Sequence, residues 1–142
     1  MSGLYIPAKI RQLVTERADG LCEYCLSYAV YSIQPFVIEH IIPRSRGGDT
    51  VSENLAYACG GCNGHKYNKI KAVDPVDGKH VALFNPRQNL WQDHFIWSDD
   101  FMLIIGMTPT GRATVECLQL NRKGILNMRR LLIGIGNHPP VH

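Results

Sequence analysis

The chain has 142 residues, of which 45% are hydrophobic and 19% charged, with a formal net charge of +3. This length fits one domain with a modest core, or a small metal-stapled module with an extension. No apolar run approaches the roughly 20 residues of a membrane span, and residues 1–7 lack the basic and apolar segments of an export signal. We therefore expect a cytoplasmic protein without a membrane span, whose charge permits binding to a polyanion without demonstrating it.

The first half of the chain predicts the order helix, strand, loop, strand, helix. Residues 7–18 place apolar side chains at helical spacing, with Pro7 suited to a first helical position and Asp19-Gly20 to the stop. A β-branched, apolar run that ends at Pro43 predicts the first strand. The four segments after the first helix are residues 36–42, 44–49, 54–58 and 63–72.

The second half carries weaker signals. In chain order they indicate a turn, a hairpin, a second turn, a segment that fits either a strand or a helix, and a helix with apolar residues at helical spacing. These elements lie at residues 74–78, 94–97 with 101–105, 108–111, 113–120 and 124–135. The aromatic residues of this half are interpreted as core rather than as a surface that stacks on bases.

Four cysteines form two close pairs, Cys22-x-x-Cys25 and Cys59-x-x-Cys62. Two such pairs are the usual way in which a chain supplies four thiolates to a tetrahedral zinc ion. The alternative of disulfides or redox use is disfavoured, because a reducing cytosol keeps thiols from being oxidised. We predict a structural Zn²⁺ bound by all four, and a buried, inert thiol at Cys117, which lies in a largely apolar stretch.

The residues around these pairs follow a specific order. The segments are Glu39-His40-Ile41-Ile42-Pro43-Arg44-Ser45-Arg46-Gly47-Gly48, Glu53-Asn54-Leu55 and Cys59-Gly60-Gly61-Cys62-Asn63-Gly64-His65-Lys66. In this order and spacing, residues 22–71 resemble the HNH endonuclease motif in its zinc-knuckle variant. The resemblance implies an α+β fold with a ββα-metal (His-Me finger) core, in which a hairpin and a helix hold one catalytic divalent ion, and it implies hydrolysis of a nucleic-acid phosphodiester.

The chemistry of hydrolysis needs the same residue types. It requires a base that deprotonates water and a cation that stabilises charge on the phosphate and the leaving oxygen. His40 can be the base, since an imidazole titrates near neutral pH. Glu39 and Asn63 offer hard oxygen ligands that suit Mg²⁺ or Mn²⁺. Neighbouring side chains of a strand point to opposite faces, so Glu39 and His40 reach one site only if the strand bends or bulges.

Other roles come from the resemblance. Asn54 is the central asparagine of the motif, which fixes the catalytic loop and orients the base, and Lys66 lies one helical turn on, within reach of the phosphate. Many family members have a further histidine ligand where this chain has Tyr67, and His65 is an imperfect substitute because it lies nearly across the helix. Taken singly, these residues also fit ordinary core, surface, turn or helix-cap roles.

Basic residues close to the motif are expected to bind phosphates, although a solvated helix face would explain some of them equally well. The expected nucleic-acid contacts are Arg44, Arg46, Lys66, Lys69 and Lys71, and the later cluster with the same two interpretations is Arg122, Lys123, Arg129 and Arg130.

The predicted function is that of a metal-dependent HNH endonuclease acting on double-stranded DNA. Residues 1–73 would form the nuclease core and residues 74–142 a mixed α/β extension packed on it. The alternative is a zinc-dependent nucleic-acid-binding module without catalysis. The presence of Glu39, His40, Asn54 and Asn63 together favours the enzyme, because a binding module would not require all four.

Overall fold

The computed structural model describes residues 5–142 and contains short helices and small antiparallel sheets, which confirms the α+β class. Helices α1–α5 span Ala8–Arg17, Gly60–Lys66, Trp91–His94, Pro109–Leu118 and Lys123–Gly134. Strands β1–β6 span Val37–His40, Leu55–Ala58, Lys71–Val73, His80–Ala82, Phe95–Trp97 and Ile104–Gly106. None of these helices has the length and apolar character needed to cross a bilayer.

The strands of the described chain pair consecutively into antiparallel ladders, β1 with β2, β3 with β4 and β5 with β6. In the first ladder Val37 lies opposite Ala58 and His40 opposite Leu55. The chain then enters α2, so the predicted order of strand, strand and helix in the motif region is confirmed. The long connection between β1 and β2 contains two 3-10 turns, Arg44–Arg46 and Ser52–Asn54.

Helix α2 differs from the predicted helix at both ends. It begins at Gly60 because Cys59 acts as the N-cap, with its sulfur accepting a hydrogen bond from the Cys62 amide at 3.4 Å. It ends at Lys66 because Tyr67 turns the backbone to a positive φ of 53°. The prediction that Lys71 lies on this helix is therefore wrong, since Lys71 begins β3.

In the second half, the hairpin and the last helix are confirmed, but the turn predicted at residues 108–111 is wrong. Those residues begin α4. The Thr108 hydroxyl accepts a hydrogen bond from the Gly111 amide at 2.9 Å, and Pro109 takes the first helical position. A capping Thr followed by Pro is a helix start that resembles a turn in sequence. The ambiguous segment 113–120 lies mainly in this helix.

Two clusters of buried residues hold the fold together. The smaller one packs α1 on the first ladder, with Val14 fully buried against Leu55, a burial worth about 1.5–3 kcal/mol for a side chain of this size. The larger one surrounds the cysteine pairs and includes Phe84, Trp91 and Phe95, which agrees with the interpretation of the aromatic residues as core. Its members come from both sides of residue 73, which lies in the β3–β4 hairpin.

Candidate functional site

The sulfur atoms of Cys22, Cys25, Cys59 and Cys62 all lie within 4.8 Å of one another and are buried. The Cys25 and Cys59 sulfurs are 3.7 Å apart, close to the edge of about 3.8 Å in a tetrahedron with zinc–sulfur bonds of ~2.3 Å. Burial raises the pKa of the Cys22 thiol, so a buried thiolate set needs a cation. The donor set and spacing fit a structural zinc ion. Within residues 5–142, no other group of three or more His, Cys, Asp or Glu side chains has its ligand atoms close enough together to hold a metal ion.

Arg122 contacts this cysteine cluster from the second half of the chain. Its guanidinium donates to the Cys59 sulfur at 3.2 Å and to the Cys62 sulfur at 3.6 Å. A Cβ atom at position 61 would overlap Arg122 Nη2, so Gly61 leaves room for the guanidinium in this position. Burial lowers the pKa of Arg122, but the neighbouring cysteines outweigh this and raise it overall.

The interpretation of the cluster that contains Arg122 and Arg129 as a solvated helix face is wrong for both residues. Arg122 lies against the cysteine sulfurs, and Arg129 is 3% exposed. Arg129 donates to the carbonyls of Met102 and Leu120, both at 2.7 Å, and lies 5.0 Å from the Trp97 ring centroid. Burial lowers the pKa of Arg129 to about 10.

Glu39 and Lys66 form a buried ion pair beside β1. Lys66 Nζ lies 3.2 Å from Glu39 Oε1, and the Tyr24 hydroxyl donates to the same carboxylate at 3.2 Å from Oε2. Lys66 Nζ also donates to the Ile41 carbonyl at 2.8 Å. Burial raises the pKa of Glu39, against the opposing effect of Lys66. Tyr24 carries no signal in the sequence that could have identified it, because it lies between the first two cysteines as an ordinary aromatic residue.

The predicted nucleic-acid contact by Lys66 is wrong in this structure. The side chain is only 1% exposed and its ammonium group faces Glu39 and backbone carbonyls rather than solvent. A helix of seven residues packed on a ladder buries one face, and Lys66 lies on that face together with Cys62, one turn earlier. The other four predicted contacts, Arg44, Arg46, Lys69 and Lys71, are exposed.

The bend or bulge that would bring Glu39 and His40 to the same face of the strand is absent from β1. Over the described strand β1, the two residues pair in unbroken register with Ala56 and Leu55. Glu39 therefore points into the interior, whereas the His40 ring lies half-buried beside the β1–β2 connection. Lys66 links the two, because its Nζ atom reaches the His40 carbonyl at 3.4 Å as well as the Glu39 carboxylate. The residues come together around the end of β1 rather than on one face of it.

The His40 ring is oriented by Thr50. His40 Nε2 lies 2.9 Å from Thr50 Oγ1, and Arg44 Nη1 donates to the same oxygen at 3.1 Å. Burial, with the charges of Arg44 and Lys66, lowers the pKa of His40. The imidazole is therefore neutral over a wider pH range than an unperturbed histidine. No local pattern in the sequence identifies Thr50, since threonine is common in loops.

Asn54 joins the two ends of the connection that carries Thr50. Its Oδ1 accepts from the Ile42 amide at 2.9 Å, and its Nδ2 donates to the carbonyls of Ile42 at 3.0 Å and Asp49 at 2.9 Å. A Cβ atom at Gly48 would overlap the Ile42 carbonyl, so the close approach of these two parts of the connection requires glycine there. Through these hydrogen bonds, Asn54 fixes the conformation of the β1–β2 connection.

Asn63 lies on α2 three residues before Lys66, hence on the same side of the helix, and is half-buried. His65 and Tyr67 are exposed, and Tyr67 lies beyond the end of the helix. Neither position extends the buried side of α2 toward Glu39. Asn63 thus lies on the side of α2 that carries Lys66, the ion-pair partner of Glu39.

Residues 22–69 match the family model described as HNH endonuclease. The matched segment contains both cysteine pairs, the β1–β2 ladder and α2. No curated protein matches the chain. The HNH assignment therefore rests on this segment together with the four-cysteine cluster.

Proposed function

We propose, on the premise that residues 22–69 form an HNH endonuclease domain with a four-cysteine site, that the protein is a metal-dependent endonuclease that hydrolyses DNA phosphodiester bonds. The observation that carries this proposal is the oriented, half-buried His40 ring at the end of β1, next to the Glu39–Lys66 pair. A neutral imidazole held by a second residue is the arrangement that general-base catalysis requires.

His40 would act through Nδ1. The Thr50 hydroxyl has two lone pairs and can accept from both Arg44 and His40 Nε2–H. That tautomer leaves Nδ1 unprotonated, so it can take a proton from the attacking water. The lowered pKa of His40 keeps this nitrogen available at neutral pH.

Glu39 and Asn63 would hold a Mg²⁺ or Mn²⁺ ion. A carboxylate and an amide oxygen suit these hard cations, with water and phosphate oxygens completing the coordination. When bound, the ion would supply positive charge to the scissile phosphate and leaving oxygen. Tyr24 and Lys66 hold the Glu39 carboxylate in one orientation, so Lys66 is a positioning residue rather than a phosphate ligand.

The exposed basic residues Arg44, Arg46, Lys69 and Lys71 would bind the nucleic-acid backbone. They lie in the β1–β2 connection and just beyond α2, next to the proposed site. Arg46 Nε donates to the Asn68 carbonyl at 2.6 Å, which ties these two segments together. Contacts of this type release counterions, so binding should weaken steeply with salt.

One observation favours a second candidate, a nucleic-acid-binding module without catalysis. The Glu39 carboxylate already has Lys66 and Tyr24 as partners, so its charge is compensated without a divalent ion. In that case the zinc centre and the basic residues would bind nucleic acid, and His40 would only support the loop.

Nicking of supercoiled plasmid by zinc-loaded protein separates the two candidates. The reaction is run with Mg²⁺, with Mn²⁺, and with neither, because a chelator would also remove zinc. The variants are His40→Ala and the control His80→Ala, which changes an exposed histidine on β4. The endonuclease predicts metal-dependent nicking by wild type and His80→Ala but not by His40→Ala. Plasmid binding without nicking by all three proteins would favour the binding module.

A further inference from the structure

The chain leaves α2 through a turn that is unusual for its sequence. The Lys69 amide donates to the Lys66 carbonyl at 3.0 Å, which closes a four-residue turn with Tyr67 and Asn68 at its centre. Tyr67 has φ 53° and ψ −120°, the dihedral angles of the first central residue of a type II′ turn. Glycine dominates this position because a Cβ atom is disfavoured there. Tyr67 therefore occupies a strained backbone position.

Packing does not compensate for this strain. The Tyr67 side chain is 74% exposed. Leu26 also has a positive φ, of 60°, but its side chain is 6% exposed and belongs to the core. The stability of the fold explains a bulky residue at position 26 and does not explain one at position 67. Strained residues with no packing role are typical of functional sites.

The turn is held firmly beside the proposed active site. On one side, Lys66 is paired with Glu39 in the interior. On the other, the Asn68 carbonyl accepts the hydrogen bond from Arg46. The exposed ring of Tyr67 thus stands on a fixed turn, with exposed cations at Arg46 and Lys69. An aromatic ring combined with cations that can bind phosphates is the surface used to bind single-stranded nucleic acid.

We propose that Tyr67 stacks on an unpaired nucleobase next to the scissile phosphate, so that the preferred substrate has a locally opened strand. A ring can stack on a base face only where neighbouring bases do not already cover it. The inference rests on the proposed function, because it places the base beside the nuclease site. It goes beyond that function by naming a substrate class and a residue that selects it.

The test compares two DNA substrates, a fully paired duplex and the same duplex with a four-nucleotide bubble. Binding and single-turnover cleavage are measured with zinc-loaded, full-length wild type, Tyr67→Phe, Tyr67→Leu and Tyr67→Gly. Wild type and Tyr67→Phe should prefer the bubble. Tyr67→Leu and Tyr67→Gly should lose about tenfold in bubble affinity, the loss expected when one base is no longer stacked, with little change in duplex affinity.

Thermal unfolding of the same variants gives an independent readout. Tyr67→Gly should raise Tm while it lowers bubble affinity, because glycine relieves the strained φ. A Tyr67→Gly variant with lower Tm and unchanged bubble affinity would overturn the inference and assign the ring a structural role. Wild type that binds and cleaves both substrates equally would also overturn it, with the proposed function intact. Failure of wild type to bind or cleave any DNA would instead overturn the proposed function, and the stacking role with it.

Discussion

The cysteine cluster and the proposed active site lie on the same short segment but are built differently. The four sulfurs converge within 4.8 Å, and Arg122 adds positive charge from outside the set. At the proposed active site, the charge of Glu39 is compensated by Lys66, the Tyr24 hydroxyl donates to its carboxylate, and the His40 ring is oriented by Thr50. Four buried thiolates need a cation such as zinc to compensate their charge, whereas the Glu39 carboxylate is compensated by Lys66 without an ion. Loss of the cysteine cluster should therefore affect folding, and changes in the proposed active site should affect the rate of cleavage.

The largest effect is expected from Cys59→Ser. Structural zinc in small domains contributes about 10 kcal/mol or more of apparent binding free energy, which is also folding free energy. The variant should lose zinc and its cooperative thermal transition. Cys117→Ser is the matched control. Cys117 is half-buried rather than fully buried as predicted, and it lies outside the cluster, so this variant should keep one zinc per chain. Metal analysis and calorimetry measure both. A folded, zinc-free Cys59→Ser protein would contradict a structural role for the cluster.

Removal of one partner of the buried ion pair should have the next largest effect. Lys66→Met leaves the Glu39 charge buried without its cation, which should cost about 3 kcal/mol in the free energy of unfolding. Urea titration measures the change. The double variant Lys66→Met with Glu39→Gln should be less destabilised than the two single changes added together. Additive effects would show that the pair does not contribute to the fold as a unit.

A smaller effect on zinc retention is expected from Arg122→Ala. The hydrogen bonds from Arg122 to Cys59 and Cys62 offset negative charge on the sulfurs. Their loss should weaken zinc affinity by about tenfold, as for other residues that contact metal ligands. Competition with a colorimetric chelator measures the affinity, and Lys123→Ala, which changes the exposed neighbouring residue, is the control. Arg122→Lys should recover part of the affinity, and equal zinc affinity in wild type and Arg122→Ala would contradict the role.

The smallest effect is a shift in pH dependence. Cleavage should require neutral His40, so the rate should rise with pH through a pKa that burial, Arg44 and Lys66 hold below the ordinary histidine value. Arg44→Ala removes one of these positive charges, so the acidic limb of the single-turnover rate should move to higher pH. Arg46→Ala is the control, because it should weaken DNA binding without shifting the acidic limb of the rate profile. Identical profiles for wild type and Arg44→Ala would contradict the proposed environment of His40.

The difference between the two sites also explains what the sequence could predict. The cysteine pairs and the order from Glu39 to Asn63 are local patterns with fixed spacing, so the four-cysteine cluster, the first two strands and the HNH match of residues 22–69 could be predicted from the sequence. The contacts of Lys66 and Arg122 could not be predicted, because their partners lie 27 or more positions away in sequence. These partners are Glu39 for Lys66, and Cys59 and Cys62 for Arg122. Thr50 and Tyr24 were missed because their residue types carry no local signal.

The end of α2 shows the same limit at the level of the backbone. The sequence after Asn63 is polar and basic and predicts a helix as far as residue 72. The helix instead ends at Lys66, because Tyr67 adopts a conformation that tyrosine rarely takes. Local propensity favours continuation of the helix. The turn is accounted for by tertiary contacts, since Lys66 is paired with Glu39 on β1 and the Asn68 carbonyl accepts from Arg46 in the β1–β2 connection.

The most direct test of the central claim measures zinc content, Tm and plasmid nicking on one preparation each of wild type and His40→Ala. If His40 is the base of a folded endonuclease site, the variant should keep its zinc, its Tm and its DNA affinity and lose about 10²- to 10⁴-fold in nicking rate with Mg²⁺ or Mn²⁺. Equal nicking rates in the two proteins, with zinc and fold retained, would contradict the assignment of His40 as the base.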